Sequence, residues 1–185
     1  MILAACLLLG IALRLASGNR LSELGELRLR GESVLLVLLC AQAVLPAMRL
    51  SGTAAQVAYW LWLATFPVLV GIAWSNRSYR GMTVAASGLL LNFVVVSING
   101  GMPVMQAAAT AAGLQGQLVL APGDFIHLVG SSATRLPWLA DVIALPGPSW
   151  MRIVPSAGDV LLYTGVVAFL AGAKPGSPGS RGATA

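Results

Sequence analysis

The chain has 185 residues, 57% hydrophobic and only 9% charged, with a formal net charge of +5. A soluble domain usually carries about 25% charged residues, so this composition argues against a water-facing surface and predicts an integral membrane protein. The 11 basic residues are scattered through short connections without interleaved aromatics, which excludes a nucleic-acid-binding stripe.

Apolar stretches at 1–16, 33–48, 57–74, 82–98 and 160–173 are read as five transmembrane helices, since a span needs about 20 apolar residues. The fold class expected is all-α: a bundle of about five spans, with a cap of short helices between spans four and five. Residues 1–98 form the four-helix part and 99–158 an extracytoplasmic or re-entrant cap. Residues 159–173 form the fifth span, and 174–185 a disordered cytoplasmic tail rich in Pro, Gly and Ser. In the first span the charges follow the apolar run, the reverse of a signal peptide, so that span is read as retained.

Arg20, Arg28, Arg30, Arg77, Arg80, Lys174 and Arg181 fall in connections on one side of the spans, and Arg49, Arg135 and Arg152 on the other. The positive-inside rule then places the N-terminus outside and the C-terminus in the cytoplasm. The loop after the first span alternates charge through Arg20, Glu23, Glu26, Arg28, Arg30 and Glu32. Cys6 and Cys40 lie within predicted spans and are read as small buried hydrophobes.

Tyr59, Trp60, Trp62 and Trp74 have the position of interfacial anchors, and Pro67 is expected to kink the third span. In the fourth span Gly88, Asn92 and Asn99 share a helical face, which predicts a close helix–helix contact at Asn92 or a polar cavity. The cap is read as helices over 102–112, 124–129 and 136–145, with Met102, Met105, Trp138 and Trp150 lining its apolar contact. Ser156 or Asp159 is expected to cap the last helix, with Tyr163 one turn further on. Gly165 and Gly172 offer a small-residue face for self-association.

Several segments together resemble a family of bacterial multi-pass proteins, the domain-of-unknown-function 5317 family. They are Asn99-Gly100-Gly101-Met102-Pro103-Val104, Gly123-Asp124, the run from Leu136 to Pro146 that includes Trp138 and Asp141, and Ser156-Ala157-Gly158-Asp159-Val160-Leu161-Leu162. The resemblance implies a shared fold and a bacterial plasma (inner) membrane location, and no reaction.

Asp124, Asp141, Asp159 and the single histidine, His127, all fall between 99 and 159. Asp124 and His127 would face each other on a helix, but with no second histidine the set is too thin for a metal site. A hydrolase would draw on Ser131, Ser132, Ser149 or Ser156 with His127 as base, yet no nucleophile-elbow motif is present. Turn and cap roles explain Asp124 and Asp159, and Asp141 is expected to pair with Arg135 or Arg152, with Asp124–Arg152 an equal option. The tentative ligand-binding residues are Asn92, Asn99, Asp124, His127, Asp141 and Asp159, with no catalytic residue, metal or cofactor assigned.

The function expected is a non-catalytic accessory, scaffold or small-lipid-binding membrane protein. Its partners would be membrane lipids, with another membrane protein or a homo-oligomer as further options. The alternatives are a membrane enzyme acting on a lipid or isoprenoid, and a small transporter subunit.

Overall fold

The structure, a computed structural model, describes residues 2–114, 120–149 and 152–174. Helix α1 (Ile2–Ala16) leads through a short α2 (Ser22–Gly25) to α3 (Glu32–Ala47), α4 (Gly52–Ser75) and α5 (Met82–Asn99). Then come strand β1 (Met102–Val104), α6 (Gln106–Ala111), strand β2 (His127–Val129), a 3-10 turn (Pro137–Leu139) and α7 (Ala157–Gly172). Helix α5 is bounded by Gly81 and Gly100, both left-handed, with φ of 85° and 75°. Such positions favour glycine because a Cβ would collide with the neighbouring carbonyl.

The long helices lie where the apolar runs are, but their lengths and packing correct the five-span bundle. Among the described residues, only α4, with 24 residues, and α5, with 18, have the length and apolarity to cross a bilayer. Helices α3 and α7, with 16 residues each, rise about 24 Å against a hydrocarbon core of about 30 Å, and α1 is shorter still at 15. The apolar windows of α4 and α5 are 44% and 33% buried inside the protein, and a core helix passes the same length test.

What results is a mostly helical fold held by inter-helix packing. The transmembrane, multi-pass inner-membrane assignment is overturned with the five spans. So are the outward N-terminus and cytoplasmic C-terminus, and the lipid, membrane-protein and homo-oligomer partners built on them. The accessory, scaffold and lipid-binding function and its lipid-enzyme and transporter alternatives rested on the same spans and fall with them. The tail beyond Lys174 lies outside the described residues, as does Trp150.

Packing is tightest between α5 and α7. A Cβ on Gly88 would lie 2.5 Å from Leu162 N, and one on Gly165 would lie 2.5 Å from Ala85 N. Glycine there lets the two backbones touch, so Gly165 serves a contact within the chain. Gly172 instead makes room for the Arg80 side chain. Helix α1 lies on the other side of α7, with Gly10 against Leu170. Helix α3 joins α4 through Gln42, whose Nε2 donates to Thr65 Oγ1 at 2.5 Å. Helix α3 buries no residue fully, and its Leu36 and Val37, like Leu8 of α1, point outward.

The main core gathers Tyr59, Trp62 and Phe66 of α4, Val95 and Val96 of α5, and Met102 and Ile126 of the lobe that follows. Trp62 and Phe66 meet edge to face at 4.9 Å. Tyr59 and Trp62 are thus core residues, whereas Trp60 and Trp74 are exposed. Helix α4 runs on through Pro67. Both cysteines are free, Cys6 half-buried and Cys40 exposed.

The segment between α5 and α7 is a strand-containing lobe where short helices were expected. Strands β1 and β2 pair in parallel, with Met102 opposite His127 and Val104 opposite Val129. Asp141 extends this small sheet by bridging Val104, and Leu145 bridges Ile153. A helix does form at Gln106–Ala111, within the expected 102–112, but three local causes defeat its first residues and the helices expected over 124–129 and 136–145. Pro103 forces its predecessor into extended backbone. Asp124 Oδ1 accepts from the N–H groups of Ile126 and His127, closing a turn in place of a helical start. Leu136, before Pro137, sits at φ 51°. Of the expected apolar contact, Met102 is buried but Trp138 is 65% exposed.

Candidate functional site

The densest buried polar cluster joins the middle of α5 to the start of α7. Ser156 and Asp159 form a capping box: Asp159 N donates to Ser156 Oγ at 3.0 Å, and Ser156 N to Asp159 Oδ2 at 3.1 Å. Asn92 closes the network from α5. Its Nδ2 donates to Asp159 Oδ1 at 2.7 Å, and its Oδ1 accepts from Ser156 Oγ at 2.9 Å. Gly158 makes the approach possible, because a Cβ there would overlap the Asn92 amide.

Asp141 belongs to the same region and is 6% exposed. Its backbone is stitched to the lobe: Asp141 N donates to Pro103 O at 2.9 Å, and Met105 N donates to Asp141 O at 3.0 Å. Its side chain is not comparably satisfied, for Oδ1 is buried without a hydrogen-bond partner among the described residues. Neither expected arginine reaches it, since Arg152 donates instead to the carbonyls of Gly147 and Gly113. Burial, reinforced by the negative charge of Asp159, pushes the Asp141 carboxyl up to about 8. Asp141 is therefore mainly protonated at neutral pH. Burial, with the charge of Asp159 second, also raises the Tyr163 hydroxyl on α7.

The remaining sequence-derived residues lie apart from this cluster in role. Asn99 clamps the lobe to the end of α5: its Nδ2 donates to Val95 O and Arg135 O, and its Oδ1 accepts from Arg135 N at 2.9 Å. Asp124 and His127 do pair, Nδ1 to Oδ2 at 2.9 Å, but through a turn and strand start. Burial alone would raise the Asp124 carboxyl; hydrogen bonds and charge from His127, with the Ile126 N–H, outweigh it and hold it below the usual range. The His127 side chain is 41% exposed. Among the described residues no group of three or more His, Cys, Asp or Glu converges.

Residues 26–171 match the family described as "Family of unknown function (DUF5317)". The chain belongs to the DUF5317 family. It is also similar to an uncharacterized protein of Thermotoga maritima, 33% identical over 95 residues, which cover 51% of this chain and 52% of the relative. The match thus spans about half the length of that relative. No solved structure matches the chain.

The DUF5317 match takes in all of α3 to α5, the lobe and nearly all of α7, and so the whole polar cluster. One buried charge with a structural role, Arg14, lies outside it. Arg14 is fully buried. Its guanidinium donates to Leu170 O at 3.1 Å and Ala173 O at 2.9 Å, and forms a 2.7 Å ion pair with Glu23. A cation at the C-terminus of α7 satisfies carbonyls the helix leaves unpaired. A lone arginine inside an apolar run was the available signal. Buried Asn76 gave none, because apart from the Ile72 carbonyl one turn back its partners are backbone atoms of Arg30, far away in sequence.

Proposed function

We propose that this protein is a non-catalytic, proton-responsive protein in which Asp141 holds the functional proton. The observation that carries the reading is the buried Asp141 carboxyl with Oδ1 unpartnered among the described residues, in the segment that ties the lobe to β1. A proton needs no cavity, only a carboxyl whose charged form is disfavoured. With the proton bound, the junction is neutral at Asp141. Losing it leaves a buried charge near Asp159, which costs several kcal/mol unless the site opens to water. The response expected is loosening of the bridge between Asp141 and β1. The non-catalytic part is supported by the mutual satisfaction of Asn92, Ser156 and Asp159, which engages the Ser156 hydroxyl and the Asp159 carboxylate in holding α7 to α5.

The test is a carboxyl-carbon NMR titration of Asp141, with amide exchange at Met105 and Asp141 followed across pH 6–9. A midpoint near 8, with exchange rising through it in wild type but not in Asp141→Asn, is the expected result. An ordinary carboxylate midpoint, or pH-independent protection after correction for intrinsic exchange, would overturn the reading.

A further inference from the structure

We propose that the basic end of the helical fold, remote in sequence from Asp141, is a binding site for a small diphosphate-bearing molecule. Three parts of the chain meet there around a half-open depression of about 550 Å³. Arg28 and Arg30 come from the connection before α3, Arg77 and Tyr79 from the turn between α4 and α5, and Lys174 from beyond α7. The volume lies within the usual range for small-molecule sites, about 300–1,000 Å³.

The charge balance selects the ligand class. The lining carries Arg28, Arg30, Arg77 and Lys174 and no carboxylate. Among the described residues none of these four heads lies in an ion pair. Gathering like charges costs free energy that a multiply charged anion would recover. Guanidinium forks match phosphate oxygens two bonds at a time.

The arginines are also held from behind. The Asn76 amide pairs with the Arg30 backbone as a strand would, accepting from its N–H at 2.9 Å and donating to its carbonyl at 3.0 Å. Tyr79 donates its hydroxyl to the Arg28 carbonyl at 3.1 Å. Arg77 lies over the Trp74 ring, 5.6 Å from its centre. The main chain at Arg30 and Arg28 is fixed by buried Asn76 and half-buried Tyr79 while their charged heads stay exposed, an arrangement that lowers the ordering cost of binding.

Titrating the full chain with inorganic pyrophosphate by calorimetry, at an ionic strength of about 0.15 M so that distant charges are screened, tests the site. Saturable one-to-one binding is expected, with Arg28→Gln and Arg77→Gln each weakening it by about tenfold or more. Arg28→Lys should fall between, and Arg135→Gln, a charge removed at the other end of α5, should leave binding unchanged. These heads are exposed, and a thermal melt of each variant confirms that it folds. Non-saturable uptake, or equal weakening by Arg135→Gln, would mean only bulk electrostatic attraction and would overturn the proposal, as would full-strength binding to an Arg28→Gln/Arg77→Gln double variant.

Discussion

Asn92 and Asp159 stand 67 positions apart in the chain and 2.7 Å apart in the fold. Their bond, with the Ser156 hydroxyl on the Asn92 carbonyl oxygen at 2.9 Å, makes the N-terminal cap of α7 a tertiary contact as well as a local one. The start of α7 is thereby fixed against the middle of α5.

Replacing Asn92 with Leu should be costly although both side chains are of similar size and the position is buried. The substitution strands the Ser156 hydroxyl and one carboxylate oxygen of Asp159 in a buried setting. A loss of about 2–4 kcal/mol in denaturant unfolding is expected. Asn92→Asp should be worse near neutral pH, because it sets a second carboxylate against Asp159. If the leucine variant matches wild type, the network contributes nothing to stability.

The glycines of the α5–α7 contact should separate cleanly from glycines that touch nothing. Gly158→Ala drives a methyl group into the Asn92 amide and should destabilise by about 2 kcal/mol or more, as overpacking does. Gly71→Ala on α4, where a Cβ meets nothing within 4 Å, should stabilise by about 0.5–1 kcal/mol through helix propensity and a stiffer unfolded chain. Thermal melts of the two variants should shift in opposite directions.

Asp141 sets the sign of the pH dependence. Its carboxyl moves from 3.8 in the unfolded chain to about 8 in the folded protein, so the folded state holds a proton that the unfolded chain releases between those values. Its contribution is fully present below about pH 4, falls as pH rises, and is gone above about pH 8. Asp141→Asn should remove that slope and make the protein more stable than wild type above pH 8, by a few kcal/mol. Unfolding free energies at pH 5, 7 and 9 check it; parallel profiles for the two proteins would sink the argument. Asp124, whose carboxyl is lowered, acts oppositely and loses its contribution only as pH falls through the acidic range.

Arg14 should be the least replaceable charge in the chain. Arg14→Met leaves Glu23 without its partner and the carbonyls of Leu170 and Ala173 without donors, at a cost of about 3–5 kcal/mol. Arg14→Lys should recover only part of this, because an ammonium cannot span the spread of acceptors that the fork reaches. Calorimetric melting of both variants, with Glu23→Gln as a comparison, separates lost charge from lost geometry.

Residue order alone is enough to locate the long helices. Apolar runs bounded by Gly31, Gly81 and Gly100 and by the Ser156 cap set local conformation through nearest neighbours alone. It also marked Asn92, Ser156 and Asp159, because an amide on a glycine-bearing face and a hydroxyl three residues before a carboxylate are short-range patterns. Tertiary structure decided the rest. Hydropathy scores a leucine without asking whether lipid, water or another helix covers it, so it counted five spans where, among the described residues, two helices have the necessary length and apolarity. Helical periodicity could not foresee the strands of the lobe, because Pro103 and Asp124 redirect the backbone and parallel pairing joins residues 25 apart, Met102 with His127. The buried Asp141, the fork of Arg14 and the Arg30 backbone held by Asn76 depend on segments brought together only when the chain packs. Their chemistry comes from burial and distant partners, which residue order alone does not reveal.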